Sequence, residues 1–394
     1  MRLAVVIAEY DPFHRGHAAL IDAVRTAGAT HVAAVMSGSF VQRGAAACLS
    51  KWARTRQALS CGVDLVAELP VPWAVSGAES FARGGVALAE ALGADILAFG
   101  SECGDVQMLQ QAADLLLQPQ TGELLRARMQ EGISFAAARE QAVQELGGEK
   151  TAQLLRQPNN ILGIEYCKAL RQMHSAAECF TVKRQGAAHN SMEDNAMPSA
   201  SRVRAELMSG GDWECALPPE SAAIVREELA HGRAPASLSR VERAVLYRLR
   251  TMSAEEYASL PDIREGLENR LSAAAHSASS LQELYEMAKT KRYSHARIRR
   301  VVLSAFLGLR RGDCAGIPPY LKILGFRSTG REILTRAARQ ALLPILTHTS
   351  DRKKLDSTGQ NVVELEERAA DIWALCCPQP APAGLDRSSG ILIL

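Results

Sequence analysis

The stretch Leu3–Val24, LAVVIAEYDPFHRGHAALIDAV, constrains the fold more than any other part of the chain. Leu3 to Ala8 is a continuous apolar run bounded by polar turn residues, the pattern of a short buried strand. Pro12 and Gly16 punctuate a tight turn. From His17 to Val24 the Ala, Leu, Ile and Val side chains suit one face of a helix. Between strand and helix stands His14-Arg15-Gly16-His17. Helix N-terminal amides attract anions, a glycine lets a ligand approach the backbone, and two imidazoles can donate to phosphate oxygens. Alone, these four residues fit two turn histidines on a surface loop equally well. Their place directly after the first buried strand favours a nucleotide-phosphate site, with His14 and His17 as its working groups.

Further apolar strands are expected at His31–Ser37, Asp64–Leu69, Asp95–Gly100 and Cys179–Lys183, with helices at Lys51–Cys61 and Glu79–Leu92 between them. Strands alternating with helices of this length mean an α/β fold with a parallel sheet and right-handed crossovers. No GxGxxG follows the first strand and no GxxxxGK[ST] occurs, which argues against a dinucleotide site and a P-loop. Ser37–Gly44 carries Gln42 and Arg43 to the ligand edge of the sheet, and Gly100 falls at that same edge. Residues 105–150 read as a mostly helical insertion. In Gln157-Pro158-Asn159-Asn160, Asn159 or Asn160 is either an N-cap or an amide that recognises the nucleotide. Arg184 leaves the fifth strand at the ligand edge, placed to grip a phosphate. Pro198-Ser199-Ala200-Ser201-Arg202-Val203-Arg204 opens a helix, and Ser201 and Arg204 make a second anion site.

Beyond about Gly210 the periodicity is helical, with no convincing strand: Arg240–Arg250, Arg264–Ala275, Ser294–Leu309, Gly330–Leu343 and Asn361–Cys376. The net charge is only +2, from 45 basic and 43 acidic residues, so any nucleic-acid footprint has to be local. Lys289–Arg311 is such a footprint, with eight lysines and arginines and no acidic residue. Lys289, Lys291, Arg292, Arg297, Arg299 and Arg300, grouped around Tyr293, are the candidate RNA contacts, against the plainer reading of a solvated helix face. Residues 379–394 are rich in Pro, Gly and Ser and are expected to be loose. The nine cysteines form no CxxC pair, so neither a zinc site nor a disulfide framework is indicated. There is no signal-peptide pattern and no apolar run of membrane-spanning length; a cytoplasmic protein is expected.

The strings AEYDPFHRGH, AVMSGSFVQRG, KWARTRQAL, GVDLVAELP, FARGG, FGSE, PNNILGIEY, VKRQGAAH and SASRVR, in this order, resemble the bacterial tRNA(Met) cytidine acetate ligases, which are HxGH nucleotidylyltransferase-like proteins. TKRYSHARIRR and YLKILGF extend the likeness to about residue 350. Members of that family usually carry Asn where Asp11 stands and often Asp where Ser50 stands. The resemblance implies a Rossmannoid, ATP-binding catalytic domain over residues 1–210. A helical tRNA-binding domain over 211–378 and the tail 379–394 would follow. It also implies acetylation of the wobble cytidine of elongator tRNA(Met) from ATP and free acetate, through an acetyl-adenylate, with Mg²⁺ accompanying the nucleotide.

The family's ATP site carries over onto Ile7, Ala8, Glu9, Tyr10, Asp11, Pro12, Phe13, His14, Arg15, Gly16, His17, Ala18, Ala19 and Leu20, together with Gly100, Asn159 and Arg184. No resident metal, membrane or protein partner is implied. Two rivals are a nucleotidylyltransferase acting on a small metabolite and a non-enzymatic RNA-binding protein on a nucleotide-binding scaffold. A class I aminoacyl-tRNA synthetase ranks last, because no KMSKS-like signature is present.

Overall fold

The computed structural model describes residues 1–184, 199–290 and 292–394. Pro198 and Lys291, and residues 185–189 of the VKRQGAAH string, lie outside the described residues. The strands in chain order are Leu3–Ala8 (β1), His31–Ser37 (β2), Phe40–Val41 (β3), Ala45–Ala46 (β4), Leu65–Leu69 (β5), Ile96–Ser101 (β6), Glu178–Lys183 (β7), Leu321–Phe326 (β8), Ile345–Leu346 (β9) and Leu392–Ile393 (β10). Eight of them form one sheet in the order β10-β8-β5-β2-β1-β6-β7, with β9 also on β8; β3 and β4 make a separate hairpin. Neighbours from β5 through β7 are parallel. Every residue of β2 and β5 is buried, as strands covered by helices on both faces must be.

The chain lays down β1, β2 and β5 in one direction and then returns to place β6 on the other side of β1. Strand order therefore reverses between β1 and β6, and the loops leaving their carboxyl ends diverge to leave a crevice. The helix Arg15–Thr26 (α1) opens beside that crevice, and Lys51–Ser60 (α2) follows the β3–β4 hairpin. The expected insertion comprises helices Val106–Leu117, Pro119–Gln130 and Phe135–Gln153.

Helices dominate the second half, but it is not all-helical. β8 pairs antiparallel with β5, matching Leu65 with Phe326 and Val66 with Gly325. Six residues are too few for periodicity to separate a strand from a helical turn, and the partner that decides the matter is far upstream. Gly325 has a packing reason: a Cβ there would lie 2.8 Å from the Leu392 carbonyl oxygen and 2.9 Å from Thr55 Cγ2. The tail is likewise not loose. Leu392 and Ile393 pair with Gly325 and Phe326, because the Pro/Gly/Ser-rich stretch ends in an apolar ILIL.

The tail also completes a buried charge cluster. Lys51 at the start of α2 is fully buried, with Nζ 2.6 Å from Glu68 Oε1 and in contact with Asp386. Lys322 Nζ lies 3.0 Å from Glu68 Oε2 and 2.6 Å from Asp386 Oδ2. Glu366 is the third carboxyl group, and burial and the Glu68 charge hold it well above the usual carboxylate range. With Glu366 protonated, two lysines face two carboxylates and the cluster is neutral. Burial alone would lower the Lys51 pKa, but Asp386 and Glu68 more than offset it. Asp386→Asn removes one of the two negative charges and leaves a buried ammonium short of a partner. We expect a loss of about 3 kcal/mol or more in urea unfolding; an unchanged midpoint would show that the cluster tolerates an unpaired lysine.

Candidate active site

β1 ends at Ala8, and the backbone then passes through Tyr10 at a φ of +47° before α1 begins. Non-glycine residues hold that conformation only where their surroundings over-determine it. Here Tyr10 is 1% exposed. Its ring meets the edge of His17 at 4.9 Å and packs on Phe13 at 4.8 Å. Phe13 is pinned at both ends, its N–H by Gln57 Oε1 and its carbonyl by the Ser221 hydroxyl.

His14 is the N-cap of α1. The Gly16 N–H donates to His14 Nδ1 (3.0 Å), and the His14 N–H donates to His17 Nδ1 (3.2 Å), a reciprocal capping box. Each ring therefore spends Nδ1 as an acceptor, which places the remaining proton on Nε2. The rings stack with centroids 3.8 Å apart. Burial pushes the His14 pKa down to about 4, with Arg184 and Arg204 adding to the shift. Burial, then His14 and Arg184, hold His17 well below its usual value. Both imidazoles are thus neutral N–H donors at neutral pH. A Cβ on Gly16 would lie 2.9 Å from His14 Cε1, so glycine is what the His14 ring has room for.

Three arginines supply the positive charge. Arg204, on the helix Ala200–Ser209, donates to the Asp11 carbonyl (2.7 Å) and to Ser201 Oγ (3.1 Å), and lies 3.6 Å from Asp11 Oδ2. Asp11 is 2% exposed and accepts the Cys48 N–H, so the charge it adds to the loop is bound internally. Arg184 follows β7, its N–H on the Ser101 carbonyl. Its side-chain stem lies over Gly100, where a Cβ would meet Arg184 Cγ at 3.2 Å. Arg43, on the β3–β4 turn, donates to Ser201 Oγ.

Other expected site residues have structural partners. Ile7 and Leu20 lie in the core, and the Arg15 side chain turns to the Cys215 carbonyl. Ala8, Ala18 and Ala19 are half-buried, and the Asp11–Pro12 peptide is cis. The Glu9 carboxylate accepts the Gln42 N–H. Neither Asn159 nor Asn160 is an N-cap: the helix Pro158–Gln172 has Gln157 in that position, without a side-chain bond. Its first amides are capped instead by Glu102, which accepts from Asn159 N, Asn159 Nδ2 and Asn160 N. Asn160 Oδ1 returns two bonds to the Glu102 and Cys103 N–H groups, locking the loop after β6 to this helix. Glu102 stands in the string FGSE, but nothing local there marks it as the cap of a helix so far downstream. Among the described residues no group of three His, Cys, Asp or Glu side chains could hold a metal ion.

The basic run divides. Arg297 pairs with Glu265 and covers the Tyr293 ring, Arg300 pairs with Asp262, and Arg299 sits over Tyr285. Tyr293 itself is buried, its hydroxyl on the Glu265 carbonyl, so it offers no face for base stacking. Lys289, Arg292 and Arg299 are exposed, and Lys291 lies outside the described residues.

Fold and site define an HxGH nucleotidyl transferase: the family model described as HIGH Nucleotidyl Transferase matches residues 1–387. A protein of Acetivibrio thermocellus named tRNA(Met) cytidine acetate ligase is 35% identical, with all of both chains covered. One of the same name from Syntrophomonas wolfei is 37% identical, covering 97% of this chain and 96% of that one. The crystal structure of Thermotoga maritima TmcAL, in its apo form, superposes over the full length of both chains with a TM-score of 0.95 at 30% identity. Its complex with alpha-thio ATP gives 0.93 at 31%, again with both chains fully covered. The chain belongs to the tRNA(Met) cytidine acetate ligase family.

The histidine geometry has a direct readout. In nitrogen-15 NMR at pH 7, both His14 and His17 should appear as Nε2–H tautomers, and His14 should titrate near pH 4. Because the fold disfavours a protonated His14, its contribution to stability is complete above pH 6.5 and is lost as pH falls from 6.5 towards 4. A His14 midpoint near 6.5 would contradict the capping-box assignment.

Proposed function

We propose that this protein activates acetate with ATP and transfers the acetyl group to the wobble cytidine of elongator tRNA(Met). The observation that carries the reading is the pair of imidazoles locked as neutral Nε2–H donors beside Arg43, Arg184 and Arg204, at the crevice where the strand order reverses. Membership of the acetate ligase family, and the alpha-thio ATP bound by the Thermotoga relative, support the nucleotide and the acceptor.

In the first step an acetate oxygen attacks the α-phosphorus, the bond to the bridging oxygen breaks, and pyrophosphate leaves. The donors are fixed before reaction, so they stabilise developing charge without reorganising. Neutral imidazoles bring N–H donors that keep their proton at neutral pH, and the arginines bring the charge. In the second step the cytidine amino nitrogen attacks the acetyl carbonyl, the C–N bond forms, AMP leaves and the nitrogen gives up one proton. Mg²⁺ belongs to the proposal as the companion of the nucleotide. The carboxylates nearest the histidines, Glu9 and Asp11, are already taken by Gln42, Cys48 and Arg204, and do not form a cage for it.

The deciding assay supplies ATP, Mg²⁺, labelled acetate and bulk bacterial tRNA, then digests the RNA. Label in N4-acetylcytidine, absent without ATP, is expected. ATP cleavage with no labelled RNA would point to a small-molecule nucleotidylyltransferase, and neither signal to a binding protein. His14→Ala should lower acetate-dependent ATP–pyrophosphate exchange by 10²-fold or more, as for loss of one fixed donor, with circular dichroism unchanged. Wild-type exchange would remove the phosphate role of the ring.

The RNA face is proposed to lie along the basic run, with the exposed Lys289 and Arg292 contacting phosphates and Lys291 beside them in sequence. Arg297 and Arg300 hold the run's architecture through Glu265 and Asp262, while the exposed Arg299, over the Tyr285 ring, belongs with the phosphate contacts. Lys289→Ala with Arg292→Ala should weaken tRNA binding and reduce its salt dependence by about two units of log–log slope. An unchanged slope would leave these residues as a solvated face.

A further inference from the structure

Arg43 has no role in the scheme carried over from the family's ATP site, yet its placement is specific. It lies in the turn of the β3–β4 hairpin, which leaves the carboxyl end of β2. The turn is closed by the Gly44 N–H on the Val41 carbonyl (2.9 Å) and tied to the end of β1 by the Gln42 N–H on Glu9 Oε1 (2.9 Å). On its other side Gly44 has a φ of +74°, and a Cβ there would lie 2.5 Å from the Arg299 carbonyl carbon. The tip is therefore wedged between β1 and the helix His295–Leu307, and Arg43 is held on a rigid mount.

From that mount Arg43 Nη1 donates to Ser201 Oγ (2.5 Å), the same oxygen that accepts from Arg204 Nη2 (3.1 Å). Two guanidinium groups thus converge on one neutral hydroxyl, with the Arg184 charge close enough to lower the pKa of His14. Among the described residues neither Arg43 nor Arg184 forms an ion pair, and Arg204 is matched only by Asp11. Glu9 and Asp11 bring two carboxylates to these three guanidinium groups, which leaves a net positive charge for a shared anion to neutralise. Each guanidinium keeps further N–H groups for such an anion.

We propose that Arg43 is a ligand of the β- and γ-phosphates of ATP, and then of the departing pyrophosphate, forming with Arg184 and Arg204 a three-arginine clamp. This deepens the ATP reading of the same site and rests on it. A grip on the leaving group and not on the adenosine monophosphate half favours the transition state, where charge moves onto the pyrophosphate. The hairpin that carries Arg43 abuts the helix bearing much of the basic run, so the clamp and the proposed RNA face share one support.

The test is calorimetric titration of wild type, Arg43→Ala and Arg43→Lys with ATP, AMP and pyrophosphate, and of the same proteins with tRNA. Arg43 is an exposed turn residue, and equal thermal melting of the variants confirms the fold. Arg43→Ala should weaken ATP and pyrophosphate by about tenfold or more, the usual worth of charge-assisted hydrogen bonds. AMP should stay within about twofold, and Arg43→Lys should recover part of the loss, as a point charge without the planar fork. An equal loss for ATP and AMP would overturn the assignment to the leaving group. Weaker tRNA binding with ATP unchanged would place Arg43 on the RNA instead, and no change in any ligand would make it a turn residue only. These titrations need neither acetate nor turnover, so they decide the clamp even if no acetylcytidine forms.

Discussion

The active-site crevice depends on one buried cation. Arg54, in the second turn of α2, has no exposed surface, and its guanidinium donates to the carbonyls of Glu9 (2.7 Å), Ser37 (3.0 Å), Leu49 (3.1 Å) and Gly38. Those carbonyls belong to the ends of β1 and β2 and to the segment entering α2. Strands of a parallel sheet stop bonding one another where their loops diverge, and their last carbonyls need other donors. One planar group with five N–H donors satisfies four of them. It thereby sets the distance between the histidine loop and the hairpin that carries Arg43.

The second half of the chain closes the same region from below. The helix Ser357–Leu375 sends the Trp373 indole N–H to the Ala47 carbonyl (2.7 Å) and Glu366 to the Val71 N–H. β8 extends the sheet on the β5 side and carries Lys322 to Glu68, while the tail brings Asp386 to Lys51. Buried charges carry a heavy desolvation cost, so this arrangement survives only because each ammonium meets its carboxylates at contact distance. The reward is positional: β5, β8 and the C-terminal tail are fixed against the first turn of α2, one turn before Arg54.

Within the crevice, hydrogen-bond donation and charge are divided between residue types. The capping box uses one nitrogen of each histidine to start α1 and leaves the other as a donor, so a helix terminus and a phosphate site are built from the same two rings. The arginines, always protonated, carry the charge that the buried imidazoles cannot. Asp11 fits this division, since its carboxylate accepts the Cys48 N–H and lies 3.6 Å from Arg204, so its charge is already bound.

Much of the site was legible in the sequence because it is local. A strand, a turn with Gly16 and a helix follow one another directly, and the capping box needs only His14, Gly16 and His17, so short-range pattern located the elements. The helix nevertheless runs Arg15–Thr26 and not His17–Val24, because the cap falls on His14. The alternation of apolar runs and helical segments likewise determined the parallel core. What tertiary structure alone decided is everything that joins distant segments. Glu102 caps a helix more than fifty residues away. β8 becomes a strand only because β5 presents an edge, and β10 because β8 then presents the next one. Arg297 and Arg300, which read as phosphate contacts, are spent on Glu265 and Asp262. Arg43 meets Arg204 across Ser201. A charged side chain is the same letter whether it faces solvent, a carboxylate or a ligand, and only the packing that brings its partner to contact distance selects among them.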